Sequence, residues 1–282
     1  MRQFTIVTLV ILLIAVIVAF AALSDFLVDW LWFDSLGFGS VFVTVWKVKV
    51  AAFGIAAGIS WVVLAVNGLL AARTPSLQGR HLRLVRNLGD REGLPEVIDL
   101  SLETFPWRTI VLVFATVLGV VLGLVQASRW ELFLRWYYAV PFGRVAPVLG
   151  HDLGFYIFAL PVYGVVREWA LLISLLAAVT VTGVYWGRGV IIGEQGIPQL
   201  RAPVIRHLSL LFSLFFLVKA GDYWLQRYAL LLSNNAVVFG AAYTDVQVRL
   251  PLLLGLVGLS LIAAVLCAAN LILLRLFADL SG

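Results

Sequence analysis

Of the chain's 282 residues, 62% are hydrophobic and 12% are charged, with a mean hydropathy of +1.04; soluble domains carry about 45–50% apolar and about 25% charged residues, so a soluble domain is excluded. The net charge of +5 and the pI near 9.6 come from arginines that mostly flank apolar runs, which is a membrane-loop pattern and not a nucleic-acid surface. The single cysteine, Cys267, excludes a disulfide or a cysteine-rich metal site within one chain and reads as a small core residue.

A helix rises about 1.5 Å per residue and the hydrocarbon layer is about 30 Å thick, so about 20 mostly apolar residues make one crossing. Six runs meet that length. They predict an all-α fold, a polytopic transmembrane helical bundle of about six spans with aromatic-rich interfacial loops; the alternating pattern of a β-barrel is missing. The first span, 4–23, is longer than the apolar core of a signal peptide and reads as an uncleaved anchor. Residues 24–46 are predicted as a loop holding Asp25, Asp29 and Asp34 with no Lys or Arg. The second span, 49–72, leads into "RTPSLQGRHLRLVR", with Arg73, Arg80, Arg83 and Arg86. In "LPEVIDLSLETF", 94–105, Leu94, Val97, Ile98 and Leu102 stand close to helical spacing, which predicts a short amphipathic helix on the membrane surface.

After the third span, 109–127, the segments "WELFLRWYYAVPF" and "LGFYIFALPVY" gather Trp130, Trp136, Tyr137, Tyr138, Phe155, Tyr156 and Tyr163. Rings with one polar edge favour the headgroup zone, so these read as interfacial or re-entrant caps; the alternative is a substrate-binding rim. The fourth span, 162–186, ends at "GRGVIIGEQG", which matches no phosphate-loop pattern and reads as a turn. The fifth, 204–232, and sixth, 251–276, complete one membrane domain covering 1–282, without internal repeat or low-complexity segment. The arginine asymmetry between the first two loops predicts a multi-pass protein of the cell membrane with its N-terminus, and after six spans its C-terminus, in the cytoplasm; Arg188, Arg201 and Arg206 fall inside on this topology, and Arg129, Arg135 and Arg144 outside.

Three stretches, "DWLWFDSLGFGSVFVT" (29–44), "GHDLGFYIFALPVY" (150–163) and "KAGDYWLQRYALLLSNNAVVFGAAYTDVQVRLP" (219–251), resemble signature segments of the bacterial membrane proteins called uncharacterised protein family 0182. The resemblance implies an N-terminal helical bundle followed by one more span and a large extracytoplasmic domain, with no settled activity. This chain stops at Gly282, so the large domain is not in it, and "VAPVLGHD" stands where the family pattern carries Asp-Pro before the glycine. The outer-loop motif residues are Asp152, Gly154, Phe155, Tyr156 and Pro161 in one loop and Tyr243, Thr244 and Asp245 in the other. On the predicted topology the segments 154–161 and 234–246 lie on one face and are too apolar to stand free in water, so they are expected to pack together.

Within the fifth span stand Lys219, Asp222, Gln226 and Arg227. From His207 to Lys219 is about 18 Å of helix, which puts Lys219 well inside the layer. Lys219 and Asp222 share a face at i,i+3, and Tyr223 and Arg227 stack at i,i+4, which predicts an intramembrane ion pair with Arg227 reaching outward. The pair is either structural or a relay or polar pocket. Asn67, Asn270, Thr180 and Thr182 are the other polar residues singled out inside spans, each suited to interhelical hydrogen bonds. His81, His151 and His207 lie far apart with no metal-ligand spacing; His151 beside Asp152 could bind a metal or move a proton, or could cap the loop before Gly154. No cofactor or metal motif and no nucleophile elbow is present in the sequence. The expected function is a non-enzymatic membrane anchor or scaffold for an extracytoplasmic domain or partner subunits, with the lipid bilayer, other membrane subunits or a second copy as partners and no nucleic acid. The alternative is a transporter or channel using Lys219 and Asp222.

Overall fold

Six long helices carry the chain in the computed structural model, which describes residues 2–75, 81–86, 96–101, 105–146, 148–194, 197–199, 202–232, 234–235 and 238–280. The long helices are α1 (Arg2–Ser35), α2 (Gly39–Arg73), α3 (Trp107–Ser128), α5 (Leu160–Gly187), α6 (Ala202–Ala229) and α7 (Leu250–Leu280), and a seventh, short helix, α4 (Trp130–Tyr137), follows α3. Among the described residues, five helical segments are long and apolar enough to cross a membrane: Gly39–Arg73, Trp107–Ser128, Phe155–Gly187, Ala202–Leu232 and Asp245–Leu271. The predicted first span lies within α1, where most side chains fall outside the described set.

Two expected connections take other forms. Residues 24–46 are not a loop: α1 runs on to Ser35, and α2 begins at Gly39. The reversal is a Schellman turn, with Phe38 N–H donating to Phe33 O and Gly37 N–H to Asp34 O, and it needs the positive φ of +77° that Gly37 adopts without strain. Phe26 sets its ring edge against Phe42 and Trp46, and Phe33 packs on Phe42, so apolar rings zip the two helices together beyond the run of continuous aliphatics. The second correction lies within 94–105, where the described residues 96–101 are a strand and not a helix: β2 (Glu96–Ser101) pairs antiparallel with β1 (His81–Arg86), Leu82 opposite Leu100 and Leu84 opposite Ile98. "HLRLVR" alternates with period two, and a partner strand of matching register prevails over the weak helical spacing. Residues 94, 95 and 102–104 lie outside the described set.

Of the segment 187–196, expected as a turn, residues 188–191 form one, closed by a second Schellman arrangement (Val190 N–H to Tyr185 O, Gly189 at φ +69°), residues 192–194 are the strand β3 (Ile192–Glu194) of a hairpin with β4 (Ile197–Gln199), and 195 and 196 lie outside the described set. A third small hairpin joins β5 (Asn234–Asn235) to β6 (Val238–Phe239).

α2, α3, α5 and α6 enclose the core, with Leu64, Val111, Val181 and Val204 fully buried. Small residues let the backbones approach. A Cβ on Gly123 would sit 2.8 Å from Ala57 Cβ, and one on Gly68 would sit 2.5 Å from Val111 Cγ1. Trp61 Nε1–H donates to Thr116 Oγ1 and Trp169 Nε1–H to Ser60 Oγ, cross-linking α2 to α3 and α5. α7 lies against α6, where Ser213 Oγ–H donates to Ala264 O and Asn270 Nδ2–H to Ser209 Oγ.

α5 and α7 are each entered through a π-helical turn, Phe155–Ala159 and Asp245–Arg249, followed in both cases by Leu-Pro. Pro161 and Pro251 have no N–H to give, and their rings crowd the carbonyl four residues back. The wider turn makes room: Leu160 N–H donates to Phe155 O, and Leu250 N–H to Asp245 O, five residues back. The sequence shows no repeat, yet one local device recurs at the entries of α5 and α7.

Candidate functional site

α3 serves as a ruler for depth. Its 22 residues measure about 33 Å, close to the thickness of one hydrocarbon layer. At its end, Arg129 Nη1–H donates to Glu168 Oε2 at 3.1 Å; at its start, the indole of Trp107 fills the space a Cβ on Gly187 would need. Residues 168–187 of α5 therefore run alongside α3, and the turns of α5 ahead of Glu168 extend beyond its end. On α2, Lys49 lies over the Trp130 ring, 5.4 Å from its centroid, so residues 39–48 also overrun. The overrun of α1, α2, α5 and α6, with α4, makes a cap on one end of the bundle; the end carrying β1–β4 is the base.

At the boundary beneath the cap lies an ionic cluster. Asp222 is 2% exposed, and Lys219 Nζ–H donates to its Oδ2. Its Oδ1 accepts from Gln226 Nε2–H at 2.8 Å and from Arg167 Nη1 of α5 at 3.0 Å. Arg167 also approaches Glu168, 3.6 Å away, and Glu168 in turn holds Arg129. One buried carboxylate thus joins two cations from two helices, and the chain of charges runs on to the end of α3. Lys219 completes its surroundings over the Tyr223 ring, 4.6 Å from the centroid, and Arg227 lies 4.4 Å over Trp224. The expected stacking is corrected: Tyr223 takes Lys219, and Arg227 takes the residue three back. Arg227 is not swung into open space either, because its Nε and Nη1 are buried.

Asp222 meets Arg167, next to the Glu168 that pairs with Arg129 at the end of α3, so Lys219 and Asp222 stand level with that end of α3. A charge there can be held by neighbouring charges and by the wet side, which costs far less than one at mid-layer. The sequence reading assigned Asp222 no partner outside α6. Arg167 and Glu168 in "VVREWALL" were the signal, an adjacent charged pair within a predicted span.

Toward the base, α2, α5 and α6 meet in an uncharged cluster. His207, expected at a span edge, lies half-buried within α6, its Nδ1 2.9 Å from Tyr185 Oη and its Nε2 3.0 Å from Asn67 Oδ1. Asn67 Nδ2–H donates to Val63 O, which fixes its amide oxygen toward the ring. The set closes with one assignment: His207 neutral, donating from Nε2 to Asn67 and accepting at Nδ1 from Tyr185 Oη–H. Thr180 and Thr182 bond back to carbonyls of their own helix, Leu176 and Ala178, instead of crossing to another.

In the cap, Asp152 Oδ1 accepts from Phe142 N–H at 3.0 Å and Gly154 N–H at 2.7 Å, and these bonds hold its carboxyl below the ordinary 3.8. Gly154 leaves no room for a side chain, since a Cβ would lie 2.8 Å from Asp152 Oδ1 and 3.2 Å from Val140 O. His151 stacks on Phe155, with Tyr228 edge-on to both rings. Asp152 thus spends its oxygens on backbone amides, as a loop cap does. Among the described residues no group of three His, Cys, Asp or Glu side chains could hold a metal.

Tyr156 is buried against Leu160, Tyr228 and Leu231, its hydroxyl without a partner. Leu153, Tyr156 and Ile157 of the first motif and Gly240, Ala241 and Val246 of the second line one pocket of about 400 Å³. The two motifs therefore meet on one face, as expected of segments too apolar to stand alone. Asp245 is 2% exposed, accepting from Ala242 N–H and from Arg249 Nη1–H at 3.0 Å each, whereas Tyr243 and Thr244 are exposed.

The sequence matches the model of the Uncharacterised protein family (UPF0182) over residues 6–279. A UPF0182 protein of Bradyrhizobium diazoefficiens is 37% identical over 275 residues, which are 95% of this chain and 29% of that protein. A UPF0182 protein of Cupriavidus necator is 35% identical over 94% of this chain and 28% of its own length, and one of Saccharopolyspora erythraea is 35% identical over 92% and 26%. The chain spans less than a third of the length of these relatives. No solved structure matches it.

Proposed function

Since the chain belongs to the Uncharacterised protein family (UPF0182) and corresponds to less than a third of its curated relatives, we propose that it is a non-enzymatic membrane anchor that carries an extracytoplasmic domain or docks partner subunits. The observation that carries this reading is the cap: four long helices overrun the layer at one end and, with α4 and the two motif loops, build a folded surface there. Helices that only needed to cross would stop where α3 stops.

Charge gives the orientation. Arg73 ends α2 at the base, Arg83 and Arg86 stand in β1 there, and Arg188 and Arg206 flank the second base connection, while Asp25, Asp29 and Asp34 belong to the cap end of α1. The base faces the cytoplasm and the cap the exterior of the cell membrane. Transport through the Lys219 and Asp222 region fits less well, because the cluster lies at a boundary and its carboxylate is fully engaged.

In cells carrying Cys267→Ser, a cysteine at Ser40 should react with an impermeant thiol reagent, and one at Ser76 should not. The part of the Bradyrhizobium relative that lies outside the matched region, expressed separately, should co-purify with this chain. It should be lost when cap contacts are cut by Phe155→Ala with Tyr228→Ala, in protein that still melts cooperatively. Reversed labelling overturns the orientation, and co-purification that ignores the cap overturns the anchor reading.

A further inference from the structure

A pocket of about 480 Å³, within the common range of small-molecule sites, opens between α4, α5 and α6 on the cap side of the ionic cluster. Leu160 and Val165 of α5 and Leu225 and Ala229 of α6 give it apolar walls, and Arg129, Arg167 and Glu168 give it a charged end. That end stands level with the end of α3, and from Glu168 back to Leu160 α5 extends about 12 Å further into the cap. The cluster behind the charged end is connected and unbalanced. Arg129 meets Glu168, Glu168 meets Arg167, Arg167 meets Asp222, and Asp222 meets Lys219, so three cations share two carboxylates and one positive charge is left over. The surplus can be reached from the pocket. Asp222 is buried and does not line it, whereas Arg129 and Arg167 do, their side chains 35% and 21% exposed. Among the described residues the Arg129 guanidinium gives one hydrogen bond, to Glu168, so it has further N–H groups to give. Part-exposed guanidinium groups with spare donors at one end of an apolar slot are the complement of a carboxylate on an apolar body.

We propose that this pocket binds an amphipathic monocarboxylate of the medium-chain fatty-acid type, with its carboxylate against Arg129 and Arg167 and its chain along Leu160, Val165, Leu225 and Ala229. One negative charge matches the surplus; a phosphate monoester, close to doubly charged at neutral pH, would exceed it beside Glu168. The direction of the slot separates this ligand from the lipids of the bilayer. Its cations lie level with the end of α3 and its apolar walls rise from there into the cap, whereas a bilayer lipid runs its chains from the headgroup back along α3. The occupant therefore enters from the cap side. The site does not depend on the anchor reading: it needs only the bundle and its cap.

The test is binding of radiolabelled decanoate at neutral pH to the purified full chain in phosphatidylcholine nanodiscs, with empty nanodiscs measuring partition into lipid. Binding above that background should saturate and be displaced by unlabelled decanoate but not by decanol. Gly164 lines the pocket, and a Cβ built on it meets nothing within 4 Å, so Gly164→Leu fits the helix, fills the slot and should abolish the saturable fraction. Arg129→Gln should weaken binding roughly five- to tenfold, between the worth of an exposed ion pair and that of a charge-assisted hydrogen bond. Glu168→Gln, which enlarges the surplus, should tighten it. These opposite signs at two paired residues keep the test valid should Gly164→Leu fail to fold, since damage to the fold lowers binding in both. Binding that rises linearly and equals that of empty nanodiscs would mean partition only and would overturn the site. Decanol displacing as well as decanoate, or Glu168→Gln weakening binding as Arg129→Gln does, would overturn recognition of the carboxylate by the surplus charge.

Discussion

α5 and α6 are tied together twice, and the two ties use different chemistry. Near the base, Tyr185, His207 and Asn67 close a neutral set in which each donor has an acceptor. Under the cap, Arg167, Asp222 and Lys219 form a charged one, with Gln226 on the shared oxygen. The difference follows depth. Gly68 of α2 packs on Val111, one turn inside α3, so the neighbouring Asn67 and its partners lie within the layer, where a neutral set keeps its energy without Born cost. The charged set lies level with the end of α3, where the surroundings can carry it. Two polar ties with apolar packing between them fix the register of an antiparallel helix pair that hydrophobicity alone would let slide.

The sharpest way to break this comparison is at Asp222. Asp222→Leu leaves Lys219 and Arg167 facing each other without their carboxylate and should cost about 3–5 kcal/mol, read by denaturation in detergent. A self-contained Lys219–Asp222 pair would be rescued by Lys219→Met in the same chain. The shared carboxylate predicts otherwise: Lys219→Met with Asp222→Leu stays well below the parent, and recovery comes only when Arg167→Met is added. Lys219→Met alone should be mild, since Arg167 and Gln226 still hold Asp222. Full rescue by the double variant would remove Arg167 from the tie.

The base tie should respond less. His207→Leu strands the Tyr185 hydroxyl and the Asn67 oxygen and should cost about 1–3 kcal/mol, and Tyr185→Phe about 1 kcal/mol, measured by the same denaturation. A loss at His207 as large as that at Asp222 would mean that charge is not what separates the two ties.

Close packing near the base gives a third measurement. Gly187→Ala would place a Cβ 2.2 Å from Trp107 Cη2 and should destabilise by about 1–3 kcal/mol, with partial rescue by Trp107→Leu. Absence of rescue would remove this contact as the lower mark of the α3 ruler.

The smallest effect is the pH response of the cap. Asp152 has its folded value lowered by the amides of Phe142 and Gly154, so its contribution is complete above the unfolded value of about 3.8 and is lost as pH falls through the folded one. Hydrogen exchange over 140–154 should stay slow at neutral pH and accelerate only under strong acid, and Asp152→Asn should remove that acid step. An acid step that survives Asp152→Asn would remove Asp152 as its source.

The sequence by itself determined the number and order of the apolar runs, the limits of the third span to within a residue or two, the interfacial rings and the meeting of the two motif loops, because burial in lipid demands continuous apolar helix and turns demand residues such as Gly37 and Gly189. It could not show that 24–35 and 39–48 continue as helix, since aspartates and aromatics in a helical hairpin above the layer look like a loop when only hydropathy is read. Nor could it join Arg167 to Asp222, Tyr185 to His207 or Arg129 to Glu168. Helical periodicity reaches three or four residues along one helix, whereas these contacts depend on how far two helices slide past each other, and only the packing of the whole bundle decides that.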